Sequence, residues 1–174
     1  MFGFENQQVK VIKFNPRGEN HGDTKVLAGD LKLETVCHNS MLDHFDKDLR
    51  KLLYRKPAKG EQSEIAFDKG DDLTYRRLPT IEPIKLDEDF PGYKLHIVSG
   101  QAVDEVLKIG DVTLSDFMFE ALEGGSVCFT FRASFHPDVW TSGKLCGCIT
   151  QETCEMTLIA PSREEQDAQQ DLAA

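Results

Sequence analysis

The sequence predicts a mainly β fold, an antiparallel β-sandwich or barrel with one amphipathic helix, about residues 40–54, packed on its side. Three observations carry this prediction. Roughly eight short segments show the period-two alternation of half-buried strands, separated by Gly, Pro and Asn turn signals. Only residues 40–54 show strong helical periodicity. Strands and helices do not alternate as βαβ units would require.

The densest apolar stretch, residues 111–135, holds five of the chain's eleven phenylalanines. Val127, Phe129, Phe131, Ala133 and Phe135 recur every second residue, which marks one buried strand face. Cys128, Thr130, Arg132, Ser134 and His136 occupy the other face. Phe117, Phe119 and Ala121 share the period on the preceding strand. A three-residue loop, Glu123-Gly124-Gly125, pairs Phe119 with Phe129 and Phe117 with Phe131, whereas a two-residue loop sets the phenylalanine rows on opposite faces. Burial specifies register, so the three-residue loop is predicted, as a type I turn closed by Gly125 in the left-handed region. The same register opposes Asp116 to Arg132. Val112 and Leu114 are out of phase with Phe117, which predicts a bulge near Ser115-Asp116.

In chain order, residues 9–14 read as a first strand and residues 15–23 as a loop, with Pro16, Gly18 and Gly22 as turn residues. Residues 30–36 alternate cleanly as a second strand. The helix 40–54 has Ser40 as its N-cap and an apolar stripe of Leu42, Phe45, Leu49, Leu52 and Leu53. Its acids lie at the start and its bases at the end, as the helix dipole prefers. Pro57 and Gly60 stop it, and residues 57–72 read as a polar loop. Residues 73–78, 81–86, 93–98 and 103–109 are further short strands. Pro83 places its strand at an edge or breaks it. Gly110-Asp111 is read as a turn into the hairpin. His136-Pro137-Asp138 ends the hairpin's second strand, a short helix lies within residues 139–150, and residues 154–158 form a final strand. The expected organisation is one β-rich domain over 1–160 and a polar, disordered tail over 161–174.

The chain has 174 residues, a formal net charge of −10 and five cysteines. That charge disfavours a duplex-DNA binder that works by neutralising phosphates, and it suits a basic protein partner or a protein that imitates nucleic acid. An odd number of cysteines and an N-terminus without secretory features point to free thiols in the cytosol. No run approaches the ~18 apolar residues of a membrane span, so no membrane role is expected.

Three sets of residues could carry chemistry. Cys146, Cys148 and Cys154, with Cys128 or His136 as a fourth ligand, could bind metal. A one-residue spacing is tight, though, and on a helix it points two thiols to different sides. They are therefore read as apolar thiols, with no cofactor expected. Among the histidines His21, His38, His44, His96 and His136, the loops His21-Gly22-Asp23 and His136-Pro137-Asp138 could meet and work as acid and base. No nucleophile elbow, P-loop, dinucleotide fingerprint or zincin motif occurs, so the chain is not read as an enzyme. Lys47, Arg50, Lys51, Arg55, Lys56 and Lys59 crowd the last turns of the predicted helix and the segment after it, and Arg76 and Arg77 could join them. With Tyr54 and Tyr75 these cations would suit a platform for stacking single-stranded nucleic acid.

Short pieces spread over roughly residues 9–160 carry a family resemblance: Phe14-Asn15-Pro16-Arg17, His21-Gly22-Asp23, Leu31-Lys32-Leu33, Leu53-Tyr54-Arg55-Lys56, Gly92-Tyr93, Gly124-Gly125-Ser126-Val127, Phe131-Arg132, His136-Pro137 and Gly143-Lys144-Leu145-Cys146. Together they resemble a family of uncharacterised prophage and temperate-phage proteins. The resemblance implies a phage-encoded product of the bacterial host cytoplasm, among the early accessory genes for DNA metabolism or host interference, and transfers no functional residue. The expected function is non-enzymatic binding of a host or phage protein, in its sharpest form the inhibition of an antiviral defence system. The alternatives are an accessory single-stranded-DNA-binding or recombination protein and, more distantly, a metal-dependent enzyme. Edge strands can pair between copies, so a homodimer is compatible with this reading.

Overall fold

A computed structural model describes residues 2–59, 61, 73–98 and 106–162. Nearly all of the expected tail lies outside the described residues, as do most of the 57–72 loop and residues 103–105. The expected β class is what forms. Among the described residues the order is β1 (Phe4–His21), β2 (Thr24–His38), a 3-10 turn (Asn39–His44), α1 (Leu49–Leu53), β3 (Tyr54–Arg55), β4 (Tyr75–Arg76), β5 (Ile84–Leu86), β6 (Phe90–Val98), β7 (Val106–Ala121), a 3-10 turn (Glu123–Gly125), β8 (Ser126–Phe135), α2 (Val139–Cys148) and β9 (Cys154–Ile159). The main sheet runs β5-β7-β6-β9-β1-β2-β8, and β8 pairs again with β7, so the hydrogen-bonded order returns on itself as in a barrel. β3 and β4 form a separate two-stranded sheet.

The chain divides into two compact units that share strands β2, β7 and β8. The larger comprises Gly3–Thr35, Asp87–Phe117 and Thr130–Ala174. Its inward residues alternate along each strand: Val9, Val11, Leu31, Leu33, Leu95, Ile97, Val112, Leu114, Met156 and Leu158 are all buried. Phe117 stacks on Phe131 at 5.4 Å between centroids, and Phe90 meets Phe117 edge-on at 5.5 Å. The smaller unit comprises Met1–Phe2, Val36–Leu86 and Met118–Phe129. Phe45 anchors it, 5.1 Å from Phe2, 4.9 Å from Phe119 and 6.0 Å from Phe129.

The hairpin forms in the expected register. Leu122 N donates to Ser126 O at 2.9 Å, closing the three-residue loop, but Gly124 as well as Gly125 has positive φ (75° and 77°), so the turn is not the expected type I turn with Gly125 alone left-handed. Phe119 and Phe129 meet edge-on at 5.3 Å. Arg132 Nη2 lies 2.8 Å from Asp116 Oδ2. Asp116 has φ 52°, where the bulge was expected.

Three elements differ from expectation. Gly110-Asp111 is not a turn: β7 runs through it. The pairs Leu95↔Ile109 and Tyr93↔Val112 leave one extra residue on β7, with Asp111 at φ 51°, so the irregularity is absorbed as a bulge. Residues 15–21 are strand, not loop, and the turn is confined to Gly22-Asp23. Pro16 pairs with Gly29, whose missing Cβ makes room for the Phe14 ring; a Cβ there would lie 2.6 Å from Phe14 Cε2. Finally, the predicted helix 40–54 is two short pieces. Phe45 N bonds to Leu42 O at 3.0 Å, and the Asp46 carboxylate accepts from Asp48 N at 2.7 Å. That local bond competes with the helical ladder and breaks it. The first piece is capped by His38, whose Nδ1 accepts from Ser40 N at 3.2 Å, and not by Ser40.

Candidate functional site

In the smaller unit the pairing Tyr54↔Arg76 and Arg55↔Tyr75 brings together four of the residues read as a nucleic-acid platform. Their chemistry is already engaged. Tyr54 is 0% exposed. Its hydroxyl donates to Ser126 O and accepts from Leu122 N at 3.2 Å, and burial pushes its pKa up to about 12. A buried ring offers no face for a base, so Tyr54 is scaffold and not a stacking surface. Arg55 lies over the Tyr75 ring at 5.1 Å and makes a bidentate pair with Glu61, at 2.7 and 2.9 Å. Arg50 Nε donates to Asn39 Oδ1 at 2.8 Å, and its Nη1 reaches Asp43 at 3.3 Å. Lys51 faces Asp48 at 3.8 Å, and Arg76 Nη2 donates to Pro79 O at 2.7 Å. Lys47, Lys56 and Arg77 are exposed. The strand pairing explains the cluster, and its arginines serve mainly to tie the segment to itself.

In the larger unit α2 starts at Asp138, whose Oδ1 accepts from Thr141 N at 2.6 Å. The helix buries Leu145 and Cys148 and leaves Cys146 outside. Cys154 Sγ approaches Cys148 O and Gln151 Oε1, at 3.9 and 3.3 Å. A hydrogen bond with Cys154, together with burial, raises the pKa of Cys148 and keeps it a thiol. The helix sets Cys146 apart from Cys148, as i and i+2 positions are, whereas Cys148 lies against Cys154.

The two histidine loops do meet. His21 and His136 pack edge to face, 5.4 Å between centroids. The carboxylate between them is Glu19, and neither Asp23 nor Asp138 takes that place: Glu19 Oε2 lies 3.2 Å from His136 Nε2 and 3.7 Å from His21 Nε2. Glu19 Oε1 accepts from Arg17 Nε at 3.0 Å and Nη2 at 2.5 Å. Arg17 Nη1 pairs in turn with Asp30, whose other oxygen accepts from Ser134 Oγ at 2.7 Å. The Arg17 guanidinium, then His136, hold the Glu19 carboxyl below its ordinary range. Arg17, Glu19 and His21 share one face of β1 because strand residues alternate. That alternation was in the sequence, but it is hidden once residues 15–23 are read as loop.

Two large apolar side chains stand out of the first turn of α2. Val139 is 82% exposed and Trp140 is 57% exposed. Lys144 Nζ lies 5.5 Å from the indole centroid. Periodicity could not flag this pair, since both residues lie in a segment of ambiguous class. Among the described residues no helix is long and apolar enough to cross a membrane. Comparison with known proteins returns no matching family model, no matching curated protein and no matching solved structure.

Proposed function

We propose that this chain is a non-enzymatic binding protein of temperate-phage origin that acts through protein–protein contacts in the bacterial cytoplasm. Its sharpest form is an inhibitor of an antiviral defence system. The supporting observation is the exposed Val139-Trp140 pair on the barrel-like scaffold. Tryptophan is the residue type most enriched among binding hot spots, and leaving it in water has a cost that a partner surface removes. Lys144 beside the ring reduces the freedom lost on docking. The partner is a protein with a basic, nucleic-acid-binding surface, because a chain of net charge −10 attracts one and repels nucleic acid. The single-stranded-DNA reading loses weight because Tyr54 is buried and Arg50 and Arg55 already face carboxylates.

The test is a pull-down from bacterial lysate, with and without nuclease, using the wild-type chain and Trp140→Ala. The expected result is a protein that survives nuclease, is lost with Trp140→Ala at unchanged melting temperature, and releases its own nucleic acid as the chain is added. Capture that vanishes with nuclease would instead support the single-strand reading. Capture unaffected by Trp140→Ala would sink the role of the helix.

A further inference from the structure

We infer that Glu19, His21 and His136 form a binding site for a divalent transition cation of the zinc class. This inference is independent of the protein-binding reading and uses none of its residues. One ligand atom from each of the three side chains lies within 4.8 Å of the others. Metal bonds of ~2.0–2.1 Å in a tetrahedral set put neighbouring ligand atoms about 3.3 Å apart. The two distances from Glu19 Oε2, 3.2 and 3.7 Å, bracket that value. His136 Nε2 already bonds Glu19 Oε2, and an entering ion would replace this contact.

The support behind the ligands is built. Arg17 holds Glu19 Oε1 through two nitrogens, which leaves Oε2 to face the imidazoles. Asp30 fixes Arg17, and Ser134 fixes Asp30. Such outer contacts orient ligating carboxylates and are typical of metal sites. Two imidazoles and one carboxylate select a borderline cation such as zinc, cobalt or nickel. Magnesium and calcium want more oxygen donors than this set supplies. Three protein ligands leave at least one coordination position open to water. All three side chains are 32–56% exposed, so an ion reaches them from solution.

The test is a titration of the full-length chain with Co2+, read by visible absorption, followed by competition with Zn2+. The expected result is saturable one-to-one binding with imidazole–carboxylate bands and no thiolate-to-cobalt charge transfer. That last criterion is needed because the chain also carries five free cysteines. His21→Ala and His136→Ala each weaken binding at least about tenfold, and Glu19→Gln weakens it as well. The inference is overturned by an absence of saturable binding, by a thiolate band, or by affinity unchanged in the His21→Ala/His136→Ala double variant. The thiolate criterion is read on the wild-type chain, so the outcome does not depend on the variants folding.

Discussion

Phe129 is fully buried and touches Phe2 at 5.5 Å, Phe119 at 5.3 Å and Phe45 at 6.0 Å. Three rings around one side chain cannot close the space it leaves. Phe129→Ala therefore costs about 3–5 kcal/mol, measured by denaturant unfolding. A loss under ~1 kcal/mol would mean that the neighbouring rings collapse into the gap. Tyr54 tests a different effect. Its hydroxyl adds to the Leu122 N–Ser126 O bond, so Tyr54→Phe removes two hydrogen bonds but leaves those backbone groups paired with each other, and costs about 0.5–1.5 kcal/mol. An unchanged stability would show that their mutual bond is enough for those groups. Phenylalanine burial was legible in the sequence, because period two and apolar side chains coincide. The burial of Tyr54 was not, because a tyrosine among arginines looks like surface until its strand partner is known.

The β7–β8 turn shows how far local rules reach at the level of an element. Its loop length followed from one requirement, that two phenylalanine rows share a face. Gly125 then sits at φ 77°, with room for a Cβ only 3.4 Å from Leu73 O. Gly125→Ala should cost about 1–2 kcal/mol through left-handed strain alone. A neutral result would mean that the loop adopts another turn. The segment 40–54 shows the opposite case. Its apolar stripe and charge gradient fit a helix, yet Asp46 and Phe45 break it: one offers the backbone a competing bond, the other is drawn into an aromatic cluster. Both effects depend on contacts that periodicity does not record. The β1 strand fails for a related reason. Pro16 and Gly18 are turn residues by local chemistry, but pairing with β2 keeps them extended, and that pairing carries Glu19 to His21 and His136.

Across the whole molecule, carboxylates with depressed pKa values set the acid limit of stability. Hydrogen bonds from Arg55, then Ala58 N, pull Glu61 down to about 2 from an ordinary 4.5. Arg17 and His136 lower Glu19, and the Thr141 backbone N–H lowers Asp138. For Asp30, burial acts upward and is the largest single influence, but the combined bonds from Arg17 and Ser134 outweigh it and its pKa also falls. A folded pKa below the unfolded one stabilises the fold at pH above the unfolded value, and that stabilisation is lost as pH falls through the folded value. For Glu61 the window runs from 4.5 down to about 2. Glu61 and Asp138 are exposed, and Glu19 and Asp30 are part-buried, so solvent and salt screen each contribution and the sum is what a measurement reads. The melting temperature should therefore fall steadily as pH drops from 4.5 towards 2, and less steeply in about 1 M salt, where the Debye length shrinks to about 3 Å. Glu61→Gln keeps the side chain's shape but cannot ionise, so its curve should start lower and decline less across the same window. Calorimetry of both chains at several pH values makes the comparison. A Glu61→Gln curve parallel to the wild type would show that the Arg55–Glu61 pair, despite its bidentate geometry, contributes nothing to the acid limit.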